Sequence, residues 1–251
     1  MKKSFLLLLV LPAAYCCMAQ DTSDTAKASQ ASQEYHNSRL KDSYPQFNLP
    51  KIEGLVAAIK KTPADGDDGE IIAPDQKTYL ALSLRERFTY HMIHPESYSQ
   101  NCDGGLPATA DEEKKIFGEL PDGFDEYSWS SRQRKFFLAN RDSVIAFMKY
   151  CITADKTIGL NFKQVITDIN AQELIPLIID TYNLTKKDHD LLTVLLLLMR
   201  DNEYAPFLVS ASYKKLYAGD DAGYKAFLNF NSENEALILK RAADFFNTLA
   251  K

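Results

Sequence analysis

Two consecutive runs decide the fold: Ala171-Gln-Glu-Leu-Ile-Pro-Leu-Ile-Ile-Asp-Thr-Tyr182 and Lys186-Lys-Asp-His-Asp-Leu-Leu-Thr-Val-Leu-Leu-Leu-Leu-Met-Arg200. Within the second, Leu191 to Met199 is almost wholly apolar and is flanked by His189-Asp190 and Arg200-Asp201. Crossing a bilayer of roughly 30 Å takes about 20 helical residues. The run is therefore expected as a helix buried inside a protein core, not as a membrane span. Thr185 and Asp188 have cap-x-x-acid spacing before it, and Asp201-Asn202 offers a stop after it. Together the two runs read as one helical hairpin.

The same grammar extends in both directions. Asn161 with Gln164, Asn170 with Glu173 and Ser232 with Glu235 repeat the capping spacing, and Ile238, Ala242, Phe245 and Leu249 step along one face of a last helix. Toward the N-terminus, Asn48 precedes Leu49-Pro50, and Ile52, Leu55, Val56 and Ile59 fall on one face, with an expected end before Pro63. Pro74-Asp75 opens a long helix carrying Ala81, Leu84, Phe88 and Met92, stopped by Pro95. Residues 95–130 are broken by Gly104-Gly105, Pro107, Pro121 and Gly123, with one short helix expected near Thr109–Leu120. Ser130 to Ile152 returns to helix with a break at Asn140, and Val144, Met148 and Cys151 form an inward stripe. Only Gly69-Glu-Ile-Ile-Ala73 suggests a strand. The expected fold is all-α: an irregular helical bundle or a short array of antiparallel helical hairpins, repeat-like in its C-terminal half. That half resembles the packing style of helical-repeat arrays, a likeness of architecture only, because no fixed period recurs.

Ahead of this body lie two segments of different composition. Lys2-Lys3, the apolar Phe5 to Leu11 and the small residue Ala19 read as a cleaved export signal over residues 1–19. Cys16 and Cys17 raise a lesser alternative, an outer-membrane lipoprotein, although their flanking residues fit lipid attachment poorly. Residues 20–46 are polar, without apolar periodicity, and read as a flexible tail. Residues 47–251 are expected as a single helical domain. The 251-residue chain has 29 basic and 34 acidic side chains, a formal charge of −5, and losing Lys2 and Lys3 with the signal would take it to −7. That balance lacks the basic footprint a nucleic-acid binder needs. No transmembrane segment is expected. The oligomeric state is not legible.

Candidate chemistry concentrates after the second helix. His91, His94, Glu96, Cys102 and Asp103 supply nitrogen, oxygen and sulfur donors of the kind that bind zinc. Cys102 beside a histidine could also act as a nucleophile. The competing reading is structural: His91 continues the stripe of Leu84 and Phe88, and His94 caps a helix end. A binding loop is suggested by Tyr98, Gln100, Asn101, Tyr127 and Trp129, the only tryptophan. Cys102 and Cys151 would be the two cysteines left after cleavage. Export permits one bridge between them, contributing up to roughly 4 kcal/mol on the chain-entropy argument. No serine elbow, phosphate-cradling glycine loop or dinucleotide fingerprint occurs, so no cofactor is implied.

Two functional readings follow. The leading one is an exported, periplasmic or secreted, non-catalytic domain that binds a ligand or another envelope or secreted protein. The alternative is a metal- or thiol-dependent hydrolase using the 91–103 cluster.

Overall fold

The computed structural model describes residues 28–60, 62–63, 69–99, 107–121, 126–219, 222–223 and 225–249. Helix dominates, with twelve α-helices and two small sheets among the described residues. The export signal, Cys16, Cys17, Gln100, Asn101, Cys102 and Asp103 lie outside the described residues.

Helix α1 (Gln30–Arg39) starts at Ser29, whose hydroxyl accepts from Ser32 N. It falls within the polar stretch read as a tail, and only Ser32 and Arg39 of its side chains are buried. Helix α2 (Leu49–Ala57) has Pro50 in its first turn and ends short of Pro63, as expected. Two short strands follow, β1 (Thr62–Pro63) and β2 (Gly69–Ile71), the latter inside the one strand candidate of the sequence.

The long helix expected from Pro74 to Met92 is two: α3 (Gln76–Leu80) and α4 (Leu84–Ile93). The break arises because Ser83 and Glu86 make a complete capping box, each side chain satisfying the other's backbone N–H. Past Pro95 come β3 (Ser97–Ser99), a 3-10 turn at Glu112–Lys114, β4 (Lys115–Phe117) and β5 (Tyr127–Ser128). The short helix expected near 109–120 is thus replaced by a turn and a strand. Thr109 and Glu112 do make half of the anticipated box, Thr109 N donating to Glu112 Oε2 at 2.8 Å. The rest of Glu112 is drawn to α1, and the following residues pair with a distant strand.

Helix α5 (Ser131–Ala139) opens on a second complete capping box, Ser130 with Gln133, and the break at Asn140 leads into α6 (Arg141–Asp155). Val144, Met148 and Cys151 are buried on α6 as the stripe predicts. Then come α7 (Leu160–Asp168), α8 (Ile175–Thr185) and α9 (Asp190–Asp201), with Lys186 in the left-handed region (φ 56°) closing α8. Two short helices, α10 (Ala205–Leu208) and α11 (Ala211–Tyr213), run into a π-helical turn at Lys214–Ala218. Strand β6 (Phe227–Asn229) and the long helix α12 (Ser232–Leu249) follow.

Helix α9 is the shaft of the molecule. Every residue from Asp190 to Met199 is buried, and α7, α8, α10, α12 and β4 all pack against it. Each of its leucines taken from water contributes about 1.5–3 kcal/mol. The sheets are peripheral: one runs β1-β2-β3-β5, and the other pairs β4 with β6, both antiparallel. A small second core of Ile52, Tyr79, Leu82 and Tyr90 lies beneath α2. Among the described residues no helix is long and apolar enough to cross a membrane.

The segment after α1 is strapped to the start of α7. Leu160 N donates to Lys41 O at 2.8 Å, Ser43 N to Asn161 Oδ1 at 2.9 Å, and Asn161 Nδ2 to Ser43 O at 2.8 Å. Asn161 is therefore not the helix cap its spacing with Gln164 suggests; that place belongs to Gly159. A Cβ at Gly159 would lie 2.1 Å from Ser43 N, so only glycine lets the strap come this close.

Candidate functional site

Of the cluster singled out in the sequence, the described members His91, His94 and Glu96 join one hydrogen-bonded network around Gln133. Its side-chain oxygen accepts from Glu96 N at 2.9 Å and Ser130 N at 3.1 Å, which fixes the amide orientation. Its nitrogen must then donate to His91 Nδ1 at 3.0 Å and to His94 O at 2.8 Å. His91 Nε2 consequently carries the proton and donates to the Tyr79 hydroxyl at 3.0 Å. The ring is fully buried between α3, α4 and α5, and burial, followed by Arg132 and Arg87, holds its pKa well below the ordinary value. His91 is a neutral imidazole with both nitrogens engaged.

Glu96 is as fully committed. Tyr90 Oη donates to Oε1 at 2.8 Å, Ser130 Oγ to Oε2 at 2.5 Å, and the Arg132 guanidinium engages both oxygens, its Nε at 3.3 Å from Oε2. Arg132 also lies 4.3 Å over the Tyr79 ring. His94 is the C-cap residue of α4, as its place before Pro95 suggests, and its side chain reaches across to donate from Nε2 to Ile72 O at 2.6 Å; burial lowers its pKa. These side chains join α3, α4, α5 and the sheet, and both His91 nitrogens, His94 Nε2 and both Glu96 oxygens have protein partners.

The suggested binding loop divides in two. Tyr98 and Tyr127 face one another across β3 and β5, rings 5.2 Å apart and half-buried. Trp129 is a core residue, 6% exposed, donating from Nε1 to His91 O at 3.0 Å. Cys151 is a free, buried cysteine on α6, so the expected bridge to it is not formed; burial, with a lesser push from Asp155, raises its thiol to about 11.

Two arrangements escape sequence reasoning. The first is a buried ionic junction under α1. Arg39 donates to Glu112 at 2.7 Å and to both oxygens of Asp190 at 3.0 and 3.1 Å, with its guanidinium 4.3 Å over Phe117. His36 adds a contact to Glu112 at 2.9 Å, and the buried Lys163 reaches Asp188 at 2.7 Å and Asp190 at 3.7 Å. Burial pushes the Glu112 carboxyl up, but Thr109 N, Arg39 and His36 outweigh it and hold the pKa below its usual value. Asp188, where burial outweighs Lys163, is raised.

The second is an open cleft of about 390 Å³ between the 119–121 segment and the C-terminal turns of α7 and α9. Three carboxylates, Glu119, Asp168 and Asp201, line it with one guanidinium, Arg200. Arg200 is held by Glu119 at 2.5 Å and Asp201 at 2.8 Å, and stands 5.0 Å over the Tyr217 ring. Asp168 meets Arg134 at 3.4 Å, and burial, only partly countered by Arg134, raises its pKa. Beside the cleft, Asn170 and Asn202 exchange two amide hydrogen bonds, 2.9 and 2.7 Å, which tie the two helix ends together. The available signal was the acid-then-amide pattern at both places, Asp168-Ile-Asn170 and Asp201-Asn202. No family model, curated protein or solved structure matches the chain significantly.

Proposed function

We propose that the chain is an exported, non-catalytic helical domain that works by binding, with the cleft at the ends of α7 and α9 as its contact site. One observation carries this reading: the reactive side chains of residues 91–96 are spent on internal hydrogen bonds, whereas the cleft presents carboxylates to solvent on a rigid helical frame. Its partner would be a ligand or another envelope or secreted protein, met in the periplasm or outside the cell after removal of residues 1–19. A lipid anchor at Cys16 or Cys17 is the lesser form of the same reading. We read the C-terminal half as a short array of antiparallel hairpins, with α8 and α9 as its clearest unit.

Zinc titration of the purified chain tests the non-catalytic part. The histidine ring signals are expected to stay unmoved, with ester and amide probes uncleaved. Stoichiometric zinc with shifted His91 and His94 signals, or zinc-dependent hydrolysis, would overturn the reading in favour of the hydrolase.

A further inference from the structure

We propose that residues 29–43 form an exchangeable arm, and that two copies of this chain associate by each seating its Arg39 in the other's buried socket. The inference does not rest on the cleft, which is built from other segments.

The socket has a definite chemistry. Both Asp190 oxygens accept from Arg39 Nε, Glu112 accepts from its Nη1 at 2.7 Å, and the guanidinium stands 4.3 Å over the Phe117 ring. Both carboxylates are buried. A planar, five-donor guanidinium fits this arrangement, and a compact ammonium does not. Acids buried this deeply are costly without a cation, and each copy of the chain carries one arm that fits.

The body is complete without the arm. Among the described residues, none of 28–46 belongs to either hydrophobic core. Polar contacts do most of the holding: Ser32 Oγ donates to Glu113 at 2.8 Å, and His36 meets Glu112 at 2.9 Å. An arm held in this way can leave and return without opening the core.

The link favours exchange. The strap ends at Ser43, whose N and O pair with Asn161, and the body begins at Phe47, whose carbonyl accepts from Thr89 Oγ1 at 3.1 Å. Between them, Pro45 fixes its own φ and biases Tyr44 toward extended backbone. Asn48, just beyond, lies in the left-handed region (φ 59°), which is costly for a residue with a Cβ. Closed and exchanged forms share every contact except those of the link, so strain there tips the balance toward exchange.

Extended, the four steps from Ser43 to Phe47 reach about 13–14 Å, so two exchanging bodies meet beside the link. Exposed aromatic surface stands there. Tyr44 is 54% exposed, and Tyr150, 5.5 Å from the Phe47 ring, is 66% exposed. A second body arriving at the link covers these rings. Closure within one chain competes at an effective concentration of about millimolar, so exchange grows as the protein approaches that range.

The test is complementation between purified full-chain variants, read by native mass spectrometry and hydrogen exchange. Arg39→Ala keeps the socket and loses the anchor; Glu112→Gln with Asp190→Asn keeps the anchor and loses the socket. Each alone is expected to be monomeric, with residues 30–39 unprotected. Mixed at about millimolar concentration, they should form a one-to-one heterodimer. Protection of residues 30–39 should return only in the chain that keeps Arg39. The unaltered chain at the same concentration should give a dimer that Arg39→Ala alone does not. Should the double variant not fold, a synthetic peptide of residues 28–43 takes its place. It should bind the Arg39→Ala chain about tenfold more tightly than the unaltered chain, whose own arm fills the socket, and lose binding when it carries Arg39→Ala itself. Mixed variants that stay monomeric, or a peptide without preference for the Arg39→Ala chain, would overturn the exchange. A dimer formed equally by Arg39→Ala alone would put association on another face and overturn it too.

Discussion

Replacing Arg39 by alanine should release α1 from the body without unfolding the rest. Arg39 is 7% exposed, and its partners Glu112 and Asp190 are 2% and 1% exposed. Removing one partner from a buried pair costs about 3–5 kcal/mol, because the remaining charge stays buried and unpaired. Here two carboxylates are left, with the His36 ring still in contact with Glu112 and a distant Lys163 on Asp190. Helix α1 buries only Ser32 and Arg39, so little apolar area opposes its departure. Undocking α1 and letting water reach both acids is the cheaper response, and it caps the loss near the lower figure. At about 2–4 °C per kcal/mol for a chain of this size, a loss of about 3 kcal/mol lowers the melting temperature by about 6–12 °C. Hydrogen exchange should show protection lost over residues 30–39 and kept in α9. Arg39→Lys should fall between, since one ammonium cannot reproduce a fork that reaches two carboxylates. Unchanged protection of α1 in Arg39→Ala, or equal loss in α1 and α9, would refute the reasoning.

Glu96→Ala strands the Arg132 guanidinium and removes the acceptor for Tyr90 and Ser130, so a loss of about 3–5 kcal/mol is expected in denaturant unfolding. Gly159→Ala forces the strap away from α7, with an expected cost of about 1–3 kcal/mol and faster proteolysis over residues 40–46. Burial raises the Asp42 carboxyl to about 6 against a lesser pull from Asn161 N, so its carboxyl carbon should titrate near pH 6 in carbon NMR. The folded chain then binds a proton that the unfolded chain releases near pH 4. Asp42 therefore adds stability as pH falls from 6 toward 4 and withdraws it as pH rises through 6, and Asp42→Asn should flatten that dependence.

How much was legible in the sequence follows from what each element needs. Helix α9 declares itself because nine nearly unbroken apolar residues have nowhere to go but a core. The α5–α6 break and the Val144–Met148–Cys151 stripe are local, so spacing alone carries them. The capping box at Ser83 is equally local, but the apolar steps of Ala81, Leu84, Phe88 and Met92 run through it and mask it. Strand β4 could not be read locally: Ile116 and Phe117 become a strand only because Leu228 and Phe227 arrive from far along the chain. Likewise α1 has no apolar stripe, and what holds it is one arginine meeting two acids from separate segments. His91, His94 and Glu96 stand close together in the sequence, but their hydrogen-bonding roles turn on Gln133 and Arg132, contributed by the next helix. The cleft joins three segments, and the only local trace was an acid at each helix end.

The claim most open to direct refutation is that this protein binds through the cleft rather than reacting through the histidine cluster. A fragment screen of the folded chain, read as amide shifts residue by residue, measures it. The account predicts that responses gather at residues 119–121, 164–168 and 197–201. Responses gathered instead around His91, His94 and Glu96 would contradict it.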